Sequence, residues 1–214
     1  MERPFTPEDV RVLGALMEKE MTTPEYYPMT PNALKAACNQ KTNRHPVTDY
    51  SEEEIVNILD GLRRRTLVRI VSGPGMRTIK YEHRLRDLFF LSQPEAALLT
   101  VMMLRGPQTA GELRARSDRM ATFEDIGEVE SVLSDLSASE RQPHPLVARL
   151  PLAPGRKEPR YAHLLFGEAP EDIADPVAAE SRGGRVTDLE ERVTRLEAEL
   201  AGLREAFDRF REQF

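Results

Sequence analysis

"LVRIVSGPGMRTIKYEH", residues 67–83, sets the fold. Two runs rich in β-branched residues flank Gly73-Pro74-Gly75, the composition of an antiparallel hairpin closed by a longer loop. The device is written again as "LVARLPLAPGRKEPRYAHLL", residues 146–165. There Pro154-Gly155 and Tyr161-Ala162-His163 answer Pro74-Gly75 and Tyr81-Glu82-His83 at a shift of 80.

What precedes each hairpin is repeated too. In the first half, Thr6-Pro7-Glu8-Asp9 supplies an N-cap hydroxyl, a proline at N1 and acids facing the helix dipole, and Val10, Leu13 and Met17 follow on one face. Thr30-Pro31 opens a shorter helix with Leu34 and Cys38, and Ser51 with Glu54 forms a capping box before Ile55, Ile58, Leu59 and Leu62. In the second half, Pro94-Glu95 opens a helix with Ala97, Leu98, Val101 and Met102, and Thr109 with Glu112 caps one with Leu113. Thr122 with Asp125 then precedes Val129, Val132, Leu133 and Leu136, each 74 residues beyond its counterpart in the first half. Caps, core spacing and turn recur together, which indicates internal duplication.

Three helices and a hairpin are the order of the winged helix. The predicted class is therefore mainly α with small β-hairpins (α+β): two tandem winged-helix domains, residues 1–91 and 92–166. Residues 167–185, rich in Gly, Pro, Ala and acids, read as a linker. Over residues 186–214 an apolar seam alternates spacings of three and four, through Val186, Leu189, Val193, Leu196 and Leu200. It continues through Leu203, Phe207, Phe210 and Phe214, predicting a C-terminal coiled-coil helix about 43 Å long that joins two chains into a homodimer. Flanking charges favour neither strand orientation.

The 214 residues carry 40% hydrophobic and 31% charged residues and no tryptophan, which suits a helix-rich soluble protein. One cysteine, an acidic and proline-bearing start, and no apolar run near 20 residues predict a cytoplasmic protein without a membrane span. Lys and Arg against Asp and Glu number 14 to 13 in residues 1–91, 9 to 10 in 92–166, and 7 to 13 beyond, so the net charge of −6 sits in the last segment. Bulk charge argues neither for nor against a local anion-binding face.

The stretch "TPNALKAACNQKTNRHPV", with "LGALMEKEMTTPEYYPM" before it and "LVR" and the hairpin after it, resembles the bacterial YceH family. The likeness runs on through "LSQPEAALLTVMMLRGPQTAGELRARS" and covers about residues 5–165. It implies the tandem winged-helix fold and a coiled-coil end, and it implies no activity.

Glu52, Glu53 and Glu54 occupy the first turn of the third helix, where they compensate the dipole and close the capping box. Carboxylates there would meet phosphate if that helix entered a groove by its amino end, and Glu124, Asp125 and Glu128 repeat the arrangement. Both third helices are poor candidates for major-groove reading. Cations lie elsewhere. The loop before the third helix holds Lys41, Arg44 and His45 beside Asn39, Gln40 and Asn43, amides that either pair with base edges or close turns. Arg63, Arg64 and Arg65 end the third helix. The first hairpin carries Arg69, Arg77 and Lys80, and the second Arg156, Lys157 and Arg160.

The predicted function is non-enzymatic: a DNA-associated or regulatory factor touching nucleic acid through hairpins and basic loop. The alternative is a protein–protein adaptor using the same domains and coiled coil without DNA. Cys38 and His45, seven residues apart, rank last as a catalytic pair. His83 and His163, at equivalent strand positions, are expected to share a packing or hydrogen-bonding role. No catalytic residue, cofactor or metal site is assigned.

Overall fold

A computed structural model describes residues 4–71, 78–152 and 155–167. The linker beyond Gly167 and the whole coiled-coil seam lie outside the described residues, as does Arg77.

Helix α1 runs Pro7–Thr22, α2 Pro31–Cys38 and α3 Glu52–Arg64. Strands β1 (Val68–Val71) and β2 (Lys80–His83) follow, and a short α4 (Leu85–Leu88) leads to the second set. That set comprises α5 (Gln93–Arg105), α6 (Ala110–Ser117), α7 (Ile126–Ser137), β3 (Val147–Arg149) and β4 (Tyr161–His163). Among the described residues the fold is thus mixed α+β, with two small antiparallel strand pairs.

The local signals act where the sequence placed them. Thr6 and Asp9 exchange backbone-to-side-chain bonds at 3.1 and 3.2 Å ahead of Pro7, while Ser51 and Glu54 do so at 2.7 and 3.2 Å. Thr109 and Glu112 close the same box at 3.0 and 3.2 Å. One start differs. The cap of α7 is Asp125, which accepts the Glu128 N–H at 2.9 Å, so Glu124 and Asp125 stand before the first turn and Thr122 plays no part in the cap.

The hairpins pair in matching register, Val68 opposite His83 and Val147 opposite His163. A third segment joins each. Met29 and Tyr81 exchange backbone bonds at 3.0 and 2.8 Å, and Gln108 and Tyr161 do so at 3.0 and 2.7 Å. Neither rung follows from the sequence pattern, because a single bridge needs no alternating run. An ion pair also recurs: Arg65 after α3 meets Asp9 in the first turn of α1 at 2.9 Å, and Arg141 after α7 meets Glu95 in the first turn of α5 at 2.5 Å.

Residues Met1 to Asp172 form one unit, whose buried core is continuous from Val10 to Leu165. The largest helix–helix contact joins the repeats, α1 against α5. Gly14 makes it possible: a Cβ there would lie 3.1 Å from Leu104 Cδ2 and 3.2 Å from Met103 Cβ. Leu13, Leu16 and Met17 on α1 and Leu98, Leu99 and Met102 on α5 are fully buried, each contributing about 1.5–3 kcal/mol by leaving water.

Between their second and third helices the repeats differ in length. Leu34 answers Leu113 at an offset of 79 and Ile55 answers Val129 at 74, so the first copy holds five extra residues there. These belong to the basic loop.

Candidate functional site

Asn39 closes the loop at its base. Its Oδ1 accepts the Tyr50 N–H at 2.8 Å and its Nδ2 donates to the Tyr50 carbonyl at 2.8 Å, as a paired strand residue would. The loop's middle is gripped from α1. Arg11, buried between Val10 and Val12, donates to the Pro46 carbonyl at 2.7 Å and the Cys38 carbonyl at 3.3 Å. Burial, with Arg44 nearby, lowers the Arg11 pKa; the two backbone carbonyls take its terminal nitrogens, while its Nε is buried without a partner.

Arg44 points inward. Its side chain is wholly shielded from solvent and donates two bonds to the Glu18 carboxylate, at 3.0 and 2.6 Å. Two more go to the carbonyls of Ala37 at 3.0 Å and Asn43 at 2.9 Å. The expectation that Arg44 and Asn39 face a nucleic acid is corrected here, since their polar atoms are consumed by the loop and α1. Asn43 adopts a left-handed backbone (φ 63°), which asparagine tolerates, and its Oδ1 accepts from Arg105. The loop thereby reaches the second repeat, where the His45 N–H donates to the Leu104 carbonyl at 2.8 Å. Lys41 is exposed and Gln40 half-buried.

The remaining cations divide in the same way. Arg63 pairs with Asp60 one turn back at 3.5 Å, and Arg69 pairs across the strands with Glu82. Arg160 is 5% exposed, beneath the second hairpin, and is corrected from contact residue to interior residue. Arg156 is half-buried with an unpartnered Nε. Arg64 and Lys157 are exposed and Lys80 half-buried, and among the described residues none of the three takes a partner.

The acidic helix starts are structural. Backbone and hydroxyl donors of Ser51 hold the Glu54 carboxyl below its usual range, while Glu52 and Glu53 stay exposed. Burial pushes the Cys38 thiol up to about 12, which makes its sulfur a core atom rather than a nucleophile. His83 and His163 hold the chain in the same way, each Nδ1 accepting the N–H two residues on, from Leu85 at 3.2 Å and Leu165 at 3.4 Å. They differ at the other nitrogen, where His83 Nε2 meets Glu20 at 3.1 Å, whereas burial alone lowers the His163 pKa to about 4.

A cleft of about 340 Å³ opens where the long loop meets the second repeat. Gln40, Lys41, Thr42 and Asn43 form one side, and Glu18, Lys19 and Thr22 of α1 another. Arg105, Arg116 and Arg119 come from the ends of α5 and α6, with Val101, Leu104 and Met120 as floor. Sequence reading identified Gln40, Lys41 and Asn43 and missed the rest. The missed cations sit in or just past three helical last turns, where a dipole role suffices to explain each one singly.

Known proteins resemble this chain over most of its length. A family described as "Protein of unknown function, DUF480" matches residues 5–156. The UPF0502 protein of Azoarcus sp. (strain BH72) is 50% identical over 213 residues, covering 97% of this chain and 93% of its own. The UPF0502 protein of Geobacter metallireducens is 50% identical over 202 residues, 94% of this chain and 90% of its own. The UPF0502 protein YceH of Salmonella paratyphi B is 45% identical over 212 residues, 97% and 96%. The chain belongs to this family, the one its sequence resembles.

Proposed function

We propose that this member of the family is a non-enzymatic tandem winged-helix protein that contacts DNA along its phosphate backbone and works as a dimer. The observation carrying the reading is the paired third rung, Met29 to Tyr81 and Gln108 to Tyr161. With it, each three-helix set acquires the small sheet from which a wing projects. Contact falls to the cations the fold leaves uncommitted: Arg64 at the end of α3, Lys80 on the first hairpin, Lys157 on the second, and Lys41 on the loop. Arg77 belongs with them by sequence. Glu52 and Glu53 on α3 repel phosphate, so backbone contact without base reading is the mode the charges support. The heptad seam from Val186 to Phe214 supplies the means of dimerisation.

Titration of a labelled random duplex with the full chain tests this. Saturable binding at low salt, weakened in a Lys80→Gln/Lys157→Gln variant, is the expected result. Absence of binding at low salt refutes it. Light scattering of the intact chain against one ending at Gly184 tests the dimer, and two monomers would remove it.

A second reading, a protein adaptor, draws on the first hairpin. Ile79 (53% exposed) and Ile70 (36%) lie bare there, while Arg69 is neutralised by Glu82. Bare apolar side chains on the wing suit a protein partner better than a phosphate backbone. Binding of an unrelated-sequence duplex with unchanged affinity after Ile79→Ser would set this reading aside.

A further inference from the structure

The cleft between the long loop and the second repeat holds more positive charge than the fold uses. Glu18 is claimed by Arg44 and Glu112 by Arg116, at 2.6 and 3.4 Å. Lys19 lies 3.6 Å from the same Glu18, already twice bonded to Arg44. Lys19, Lys41, Arg105 and Arg119 are left without a carboxylate of their own, an excess of four charges. The carboxyl ends of α1, α5 and α6 supply about half a negative charge each, so an excess of about 2.5 remains. Burial, then Arg116 and Arg44, lowers the pKa of Arg105.

Arg119 and Lys41 are exposed and take no hydrogen bond or ion pair among the described residues, so both are free to close on a ligand. Beneath them the floor is apolar, with Val101 and Leu104 each 3% exposed and Met120 7%. The volume falls within the range of about 300–1,000 Å³ that small-molecule sites occupy. The cations converge on one small cleft, which suits a compact polyanion better than an extended duplex backbone.

We propose that this cleft binds a small phosphorylated ligand of the diphosphate class, held by Lys19, Lys41, Arg105 and Arg119 between the two repeats. Its walls come from the loop of one repeat and the helix ends of the other, so occupancy ties the loop to α5 and α6. The site shares only Lys41 with the DNA reading and does not rest on it: DNA binding can fail while the ligand binds, and the reverse.

Calorimetric titration of the full chain with inorganic pyrophosphate, at fixed ionic strength and without magnesium, tests the proposal. One saturable site per chain is expected. An Arg119→Gln/Lys41→Gln variant, altered only at exposed side chains, should bind at least about tenfold more weakly, while Lys35→Gln on α2 binds as the parent does. No saturable binding, equal affinity in the double variant, or equal loss with Lys35→Gln overturns the proposal. So does equal competition by sulfate, which indicates a general ionic effect. Displacement of pyrophosphate by a short duplex, with parallel loss of both in the double variant, assigns the cleft to nucleic acid instead and overturns it too.

Discussion

Replacing Arg44 by glutamine separates a structural cation from a phosphate contact. The side chain has no solvent exposure and makes four hydrogen bonds, two of them to a carboxylate that is only 14% exposed. Breaking a buried pair from one side costs about 3–5 kcal/mol. Glu18 at the cleft edge regains some water, and glutamine recovers one carbonyl bond, so about 2–4 kcal/mol is the expected loss. With a urea m-value near 2 kcal/mol/M, the midpoint should fall by roughly 1–2 M at unchanged slope. Glu18→Gln should also destabilise, and the double variant should lose at least about 1 kcal/mol less than the sum, as coupled neighbours do. Under folding conditions, the salt dependence of any duplex binding should not change. A midpoint within about 0.2 M of the parent, together with a duplex slope reduced by about one contact, would refute the reasoning and return Arg44 to the surface.

Gly14→Ala sets a helix-propensity gain of about 1 kcal/mol against overpacking of about 1–3 kcal/mol. Because Met103 Cβ is attached to backbone and cannot swing away, net destabilisation near 1 kcal/mol is expected in chemical denaturation, and a stabilised variant would contradict the packing. Thr109→Ala removes the cap of an eight-residue helix and should cost about 1 kcal/mol, with raised amide exchange at Glu112 as the local sign. His163 is held neutral by burial, with a folded pKa of about 4 against an ordinary 6.5. The unfolded chain therefore binds the extra proton, and stability is full above about pH 6.5 and declines as pH falls towards 4. The total is roughly 3 kcal/mol, seen as a flatter pH–stability curve in His163→Phe.

The helices and hairpins were legible because their signals are local. Thr6, Ser51 and Thr109 act within three residues of themselves, and Ile55, Leu59 and Leu62 report one helical face. The duplication was legible for the same reason. The rungs at Met29 and Gln108 were not, since each is a single pair of backbone bonds that any side chain permits. Cations were read least well. Arg44 and Lys41 look alike in the sequence, yet one is buried against Glu18 and the other is exposed. That difference depends on a partner 26 residues away. Arg11 was overlooked because an arginine on an apolar helix face carries no sequence sign of the loop it holds. The cleft escaped because it is assembled from two repeats, and no single window of sequence contains it.

Two sets of three helices and a strand pair, each joined by a third rung, underlie the reading of the chain as two copies of one module. Native-state hydrogen exchange of the Met29, Tyr81, Gln108 and Tyr161 amides tests this most directly. All four donate across the bridges and should be strongly protected, with similar opening energies in the two repeats. Fast exchange at Gln108 and Tyr161 beside slow exchange at Met29 and Tyr81, or the reverse, would contradict it.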